Sequence, residues 1–288
     1  METIDKRNAV DFFLTLRCTS RKYAKEFVEK GIIKFNTPQS WVDYGEKQGR
    51  GRGDVLEGTF ACCNQLDLEH LKLLSANYNM SKNANIEKYY KEGKIYFKRK
   101  NVMQLPVFCV YLLKANMVDW PDSVGWHTIK TRIPSNYFQD FADYMTPAQI
   151  KTLPVEEQPS VVFIRDFDAF KERLVNKLIS LGIDKNEIII TPITYYDFNK
   201  DGIMGWFDLR QQPPFELAIK DISFSNQSEA RVIIFSKNNF ASDYLKNNVI
   251  ELGPLLDIAA IADGYFSEGL DFSCEVELVS IKDMPIIN

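Results

Sequence analysis

Near the end of the chain, the stretch SFSNQSEARVII (residues 223–234) sets Gln227, Glu229 and Arg231 on alternate positions ahead of a β-branched run. Side chains alternate along a strand with a period of two, so these three share one face while Ser228 and Ala230 share the other. An amide, a carboxylate and a guanidinium arranged in this way can grip a polar ligand or steady a developing positive charge. The plain alternative is an edge strand with a wet polar face. The position favours a site, because a serine- and asparagine-containing turn feeds directly into the strand, a junction at which polar groups are held rigidly.

Two further clusters carry chemical potential. Asp197, Asn199 and Asp201, followed by Gly202 and later by Asp208, match the D-x-N-x-D-G spacing of a calcium loop. Their oxygens suit a hard cation, and the glycine permits the sharp turn. Asp208 is shorter than the usual closing glutamate, and the flanks read as strands rather than paired helices, so a hairpin turn built on Asp-Gly accounts for the same residues. The other cluster is GEKQGRGRGDVLEG, residues 45–58, where five glycines interleave Arg50, Arg52, Asp54 and Glu57. Glycines let a backbone approach an anion, and the arginines can fork onto phosphate. The spacing is not that of a triphosphate-binding loop, and a solvated loop is the simpler reading. Asp54, Glu57 and the acidic loop near residue 200 also allow a metal-dependent nuclease.

Histidine chemistry ranks low. The chain has two histidines, His70 and His127, and no nucleophile or orienting partner stands near either in sequence. His127 alternates with Trp126 in a strand-like segment and reads as structural.

The totals bound the rest. With 288 residues, 45% of them hydrophobic, the chain can bury a full core, and 13% aromatic content suits half-buried pleated positions. A net charge of −4 and a pI near 5.4 give no general attraction for nucleic acid. The compact cationic run Lys98–Lys100 reads as a solvated strand end, with phosphate contact as the alternative. Five cysteines without C-x-x-C spacing argue against a disulfide framework and a zinc knuckle. The first residues do not read as a signal peptide, and no segment has the apolar length of a spanning helix, so a cytoplasmic protein without membrane attachment is expected.

Positioning these residues requires many strands. Alternating or β-branched segments recur from DFFLTLRC at residue 11 to CEVELVSI at residue 274, too many for a doubly wound fold. A helix is expected over DAFKERLVNKLISLG, where Phe170, Leu174, Leu178 and Leu181 form a stripe and Gly182 marks the stop. Others are expected at SRKYAKEFVEKG, at PSNYFQDFADYM, and in two pieces over DLEHLKLLSANYNMSKNANIEKYYKEG. The fold class is α+β: a single domain spanning 1–288 with a mainly antiparallel, split β-sheet and scattered helices. The segment 146–160, with three prolines, is the best candidate for a surface excursion.

The segment YAKEFVEKGIIKFNTPQSW, residues 23–41, followed by QSEARVII and NVIELGPLLDIA, resembles a bacterial family described only as a domain of unknown function. That family has a phenylalanine-asparagine-proline turn near the start and a glutamate-x-arginine before a late strand. Here FNTPQSW replaces the more usual asparagine-aspartate-proline run with its following acid. More distantly, Gln227 and Glu229 are similar to the Q-x-E pair of ADP-ribosyltransferases, and Arg17 is similar to the arginine that steadies the dinucleotide phosphates in that class. No counterpart of the class's central serine motif stands out.

The resemblance implies a protein that binds NAD as substrate and transfers or hydrolyses its ADP-ribose. Glu229 would be the charge-stabilising carboxylate and Gln227 would orient the acceptor. Arg17, Arg52 and Arg231 would hold the dinucleotide, and Trp41 or Tyr44 would stack on the nicotinamide. Partners would then be a nucleotide and a macromolecular acceptor. The alternative is a non-catalytic module, in conflict between phage and bacterium, that senses a nucleotide or a protein through the same cleft.

Overall fold

The computed structural model describes residues 12–48, 53–67, 69, 71–72, 85–199, 214–264 and 266–278. The expected Arg52, His70, Asp201 and Asp208 lie outside these residues.

Strand β1 (Phe12–Ser20) passes without a break into a helix, Arg21–Lys30. Gly31 ends that helix in the left-handed region at φ 68°, and a Cβ there would stand 2.2 Å from the carbonyl oxygen of Gly253. Conformation and space thus both require glycine. The chain continues through β2 (Ile32–Lys34), a helix over Pro38–Gln48, β3 (Thr59–Asn64), β4 (Ile86–Lys91) and β5 (Lys94–Arg99). Next come β6 (Val107–Lys114), β7 (Gly125–Ile133), the helices Ser135–Phe141 and Pro147–Thr152, β8 (Pro159–Ile164) and the helix Phe167–Ser180. The last part holds β9 (Ile188–Pro192), β10 (Thr194–Tyr196), β11 (Ile219–Asp221) and β12 (Glu229–Ile234). It closes with the helix Asn239–Asn247, β13 (Val249–Glu251), β14 (Ala259–Asp263) and β15 (Leu270–Leu278).

Six strands form the main sheet in the order β14-β8-β1-β6-β12-β9, every pair antiparallel. A three-stranded sheet, β3-β5-β4, stands apart from it, with small pairs β10-β11, β13-β2 and β15-β7. The fold is therefore α+β with a mainly antiparallel, split sheet, as the strand-rich pattern predicted.

The two-residue period sorts the main sheet into two chemically different faces. Phe108, Val110, Leu112, Val162, Ile164, Ala230, Val232 and Ile234 meet Phe27, Phe170, Leu174, Leu178 and Leu245 of three helices. Fully burying each such side chain contributes about 1.5–3 kcal/mol, so this layer dominates stability. On the reverse face, Leu16, Tyr111 and Leu113 pack under Phe138, while Val107 and Ile233 meet Leu217 at the far end. Between these two apolar patches the reverse face carries Glu229 and Arg231.

Three expectations change. Ile86–Lys91, expected as helix, is a strand that pairs residue by residue with β5, and Tyr89 packs on Tyr96 with ring centroids 6.5 Å apart. The apolar residues of β5 need a cover on that edge, and this tertiary demand outweighs the local helical pattern. The helices Pro38–Gln48 and Asn239–Asn247 were not expected. Pro38 opens the first, where a missing N–H costs nothing, and Asn238 caps the second by accepting from the Ala241 N–H at 3.2 Å. The Lys98–Lys100 run is not a solvated end, because Lys98 and Arg99 are buried. Arg99 makes a two-pronged pair with buried Glu216.

Segment 146–160 contains a short helix opened by a Thr146–Gln149 capping box, then a 3-10 turn at Val155–Glu157. Cys62 and Cys63 point to opposite sides of β3, each into a different apolar cluster. Among the described residues no helix is long and apolar enough to cross a membrane.

Candidate functional site: a buried ion network under an acidic cavity

β12 lies between β6 and β9, and all six of its residues are buried. The opening trio therefore does not form the wet face of an edge strand. Glu229 and Arg231 share the reverse face of the sheet, as the period of two demands. Gln227 precedes the strand in a 3-10 turn and is joined to them through Ser228, which takes up the left-handed conformation at φ 37°. Its hydroxyl donates to the Leu112 carbonyl at 2.8 Å, which holds that unusual backbone in place.

Arg231 is 1% exposed and has no idle donor. Its Nε donates to Glu229 Oε1 at 2.7 Å and its Nη2 to Glu57 Oε2 at 2.9 Å. Nη1 donates to Glu57 Oε1 at 2.5 Å and to the Leu217 carbonyl at 2.8 Å. The Trp41 ring covers the guanidinium, with its centroid 4.9 Å away. Lys220, also buried, reaches Glu229 Oε2 at 3.1 Å and Gln227 Oε1 at 2.7 Å. Two carboxylates thus face two cations in a dry layer, each charge met by its opposite. Burial alone would raise the Glu229 carboxyl, but Arg231 and Lys220 outweigh it and hold the group well below the usual carboxylate range. Burial would lower the Lys220 ammonium; Glu229, Glu57 and Asp54 overcome this and raise it.

From this layer a polar chain leads outward. Gln227 Nε2 donates to Asp140 Oδ2 at 3.1 Å, and Asn226 Nδ2 donates to the same oxygen at 3.0 Å. Tyr144 closes the other Asp140 oxygen at 2.5 Å. Asp140 and Asn226 line a cavity of about 520 Å³. Its described wall holds Asp54, Glu92, Asp140 and Asp221 against one cation, Lys91, whose ammonium lies 3.9 Å from Glu92. Tyr96, Phe198 and Phe224 supply aromatic surface.

The glycine-rich loop positions Asp54 on this wall. A Cβ on Gly53 would fall 2.2 Å from the Gly45 nitrogen, so the loop lies directly against the helix Pro38–Gln48 only because residue 53 is glycine. Asp54 is 3% exposed, and its Oδ1 accepts from the Leu56 N–H at 2.8 Å. Its Oδ2 is buried without a hydrogen-bond partner. Burial first, then the neighbouring Glu57, pushes this carboxyl up to about 6, against the opposing pull of Lys220 and Lys98.

The remaining expected residues fall elsewhere. Arg17 pairs with Val162 on the helix-covered face, whereas Glu229 pairs with Tyr111 on the reverse face. The Arg17 guanidinium lies 4.3 Å from the Phe108 ring centroid and donates to the Cys109 carbonyl at 2.7 Å. Trp41 stacks on Arg231, and Tyr44 donates to Asp143 Oδ2 at 2.5 Å. Asp197 Oδ1 accepts from the Asn199 N–H at 2.9 Å, a local turn contact. Among the described residues no cluster of three or more histidine, cysteine or acidic groups is arranged to hold a metal. His127 Nε2 lies 2.8 Å from the Ser123 carbonyl.

Sequence reasoning passed over Lys220, Asp140 and Asn226. No motif marks them. The signal available was Lys220 standing in an otherwise strand-like segment, where an inward cation needs a partner.

No family model matches the chain, and neither a curated protein nor a solved structure matches it.

Proposed function

We propose that the chain is a non-catalytic binding module that takes a small polar organic molecule into the cavity between the β3-β5-β4 sheet and the turn before β12. The observation that carries this reading is the cavity itself, about 520 Å³ and built from segments far apart in sequence, with carboxylate, amide and aromatic groups converging on it. Beneath it, Glu57, Glu229, Arg231 and Lys220 satisfy one another, and such a network rigidifies a wall rather than reacting. Thermal-shift measurement with nucleosides, NAD, polyamines, amino acids and sugars tests the reading, since binding to the native state raises stability by mass action. At least one class should stabilise the protein, and Asn136→Trp, on the exposed rim of the cavity, should remove that stabilisation. No stabilising class, or stabilisation that survives the blocked rim, rejects it.

The transferase reading has one supporting observation: the Lys220 ammonium bridges Gln227 and Glu229 and keeps the Q-x-E pair together with Glu229 ionised. In its favour a carboxylate near the ribose would stabilise an oxocarbenium-like centre. Against it, Glu229 already has two cations, and the four acids on the described cavity wall repel a pyrophosphate. Incubation with NAD, alone and with cell lysate, decides. Nicotinamide release that Glu229→Gln abolishes would favour the transferase, provided the variant keeps its fold by circular dichroism.

A further inference from the structure

The wall of the cavity distinguishes its carboxylates by what each already holds. Asp140 accepts from Tyr144, Asn226 and Gln227. Asp221 accepts from the Phe198 N–H at 3.2 Å and from the Ser223 N–H and hydroxyl at 3.0 and 2.5 Å. Glu92 faces Lys91. Asp54 differs: one oxygen takes the Leu56 N–H, and the other, buried, takes nothing.

A buried carboxylate oxygen without a donor is unfavourable and rare, and a partner from outside the chain is one of the ways in which such a group is completed. Among the described residues the nearby cations are turned elsewhere. Lys98 donates to the Val55 carbonyl at 2.5 Å, and Lys220 to Gln227 and Glu229. Asp54 also lines the cavity, the side from which a bound molecule can bring the missing donor.

The rest of the wall restricts that donor. On the described wall, four acids against a single lysine already beside Glu92 disfavour an anion and favour a positive charge. Tyr96, Phe198 and Phe224 offer ring faces, which attract a flat cation both by area and through their quadrupoles. We propose that Asp54 anchors a small planar organic cation, of the amidinium or protonated amino-heterocycle class, through the oxygen that the protein leaves unpartnered. The proposal rests on the reading of the cavity as a binding site and names its ligand class.

The test uses three molecules of one shape and different charge: benzamidinium, benzamide and benzoate. Each is titrated into the full chain at pH 7.5 and followed by protein-observed NMR. Benzamidinium should bind at least about tenfold more tightly than benzamide, and benzoate should not bind. Asp54→Asn, which keeps the side-chain shape, should abolish the preference for the charged probe. Asn136→Trp, which leaves Asp54 intact, should abolish binding of every probe. Equal affinity for benzamide and benzamidinium, or a preference that survives Asp54→Asn, overturns the ligand class. If none of the probes binds while another small molecule stabilises the protein and loses that effect in Asn136→Trp, the class alone fails. If nothing binds, the cavity reading fails with it.

Discussion

Arg231 and Glu57, 174 residues apart in the chain, close a two-pronged ion pair in which both side chains are almost wholly excluded from solvent. The pair joins the glycine-rich loop to the middle of the main sheet. It also fixes the floor beneath the cavity, because the same guanidinium holds Glu229 and thereby Lys220 and Gln227.

Removing the cation from this layer should be severe. Arg231→Met leaves Glu57 and Glu229 buried with Lys220 as the remaining cation of this layer among the described residues, and breaking a buried pair costs about 3–5 kcal/mol. Urea unfolding should show a loss of that size at neutral pH. A loss below about 1 kcal/mol would mean that water reaches the layer.

Acid should find Asp54 and Glu229 responding in opposite senses. Asp54 binds its proton more tightly folded than unfolded, between its ordinary value of 3.8 and about 6, so its contribution to stability falls as pH rises through that window. Burial sets the direction of this shift, Glu57 adds to it, and Lys220 and Lys98, which also face the group, oppose it. Asp54→Asn should therefore stabilise the unliganded protein at pH 7.5, by roughly 1–3 kcal/mol, and the gain should vanish near pH 4. Glu229 is depressed, so its contribution is present above its ordinary value of 4.5 and is lost as pH falls below it. Denaturation series at several pH values separate the two.

Gly53→Ala should uncouple the loop from the helix. The added methyl would need the space of the Gly45 nitrogen and Cα, at 2.2 and 2.3 Å, both backbone atoms. Overpacking of this kind costs about 1–3 kcal/mol, and the shift of Asp54 should also weaken benzamidinium binding. Retained affinity in a destabilised variant would show that the loop position is not what places the carboxylate.

Arg17 should behave as a structural residue. Arg17→Met should cost about 1–3 kcal/mol, through the lost hydrogen bond to the Cys109 carbonyl and the lost contact with Phe108. Probe binding measured in the same variant should be unchanged.

Local patterns carried a good deal. Phe170, Leu174 and Leu178 announced their helix because a period near 3.6 needs no knowledge of the partner, and all three are buried against the sheet. The period of two put Glu229 and Arg231 on one face, and they share it. The α+β class followed from the number of such segments. What strand alternation could not say is what covers each face. Arg17 and Glu229 read as one grip, yet the sheet separates their faces; Ile86–Lys91 read as helix until β5 required an edge. Asp140, which meets Gln227 across 87 residues, and Lys220 and Asp54, which face each other in the buried layer, acquire meaning only when distant segments converge, since the energy of a charge depends on solvent exclusion and on its partner. Periodicity is a property of neighbours along the chain and is written in the amino-acid order; burial and charge pairing are properties of neighbours in space, and tertiary structure alone decides them.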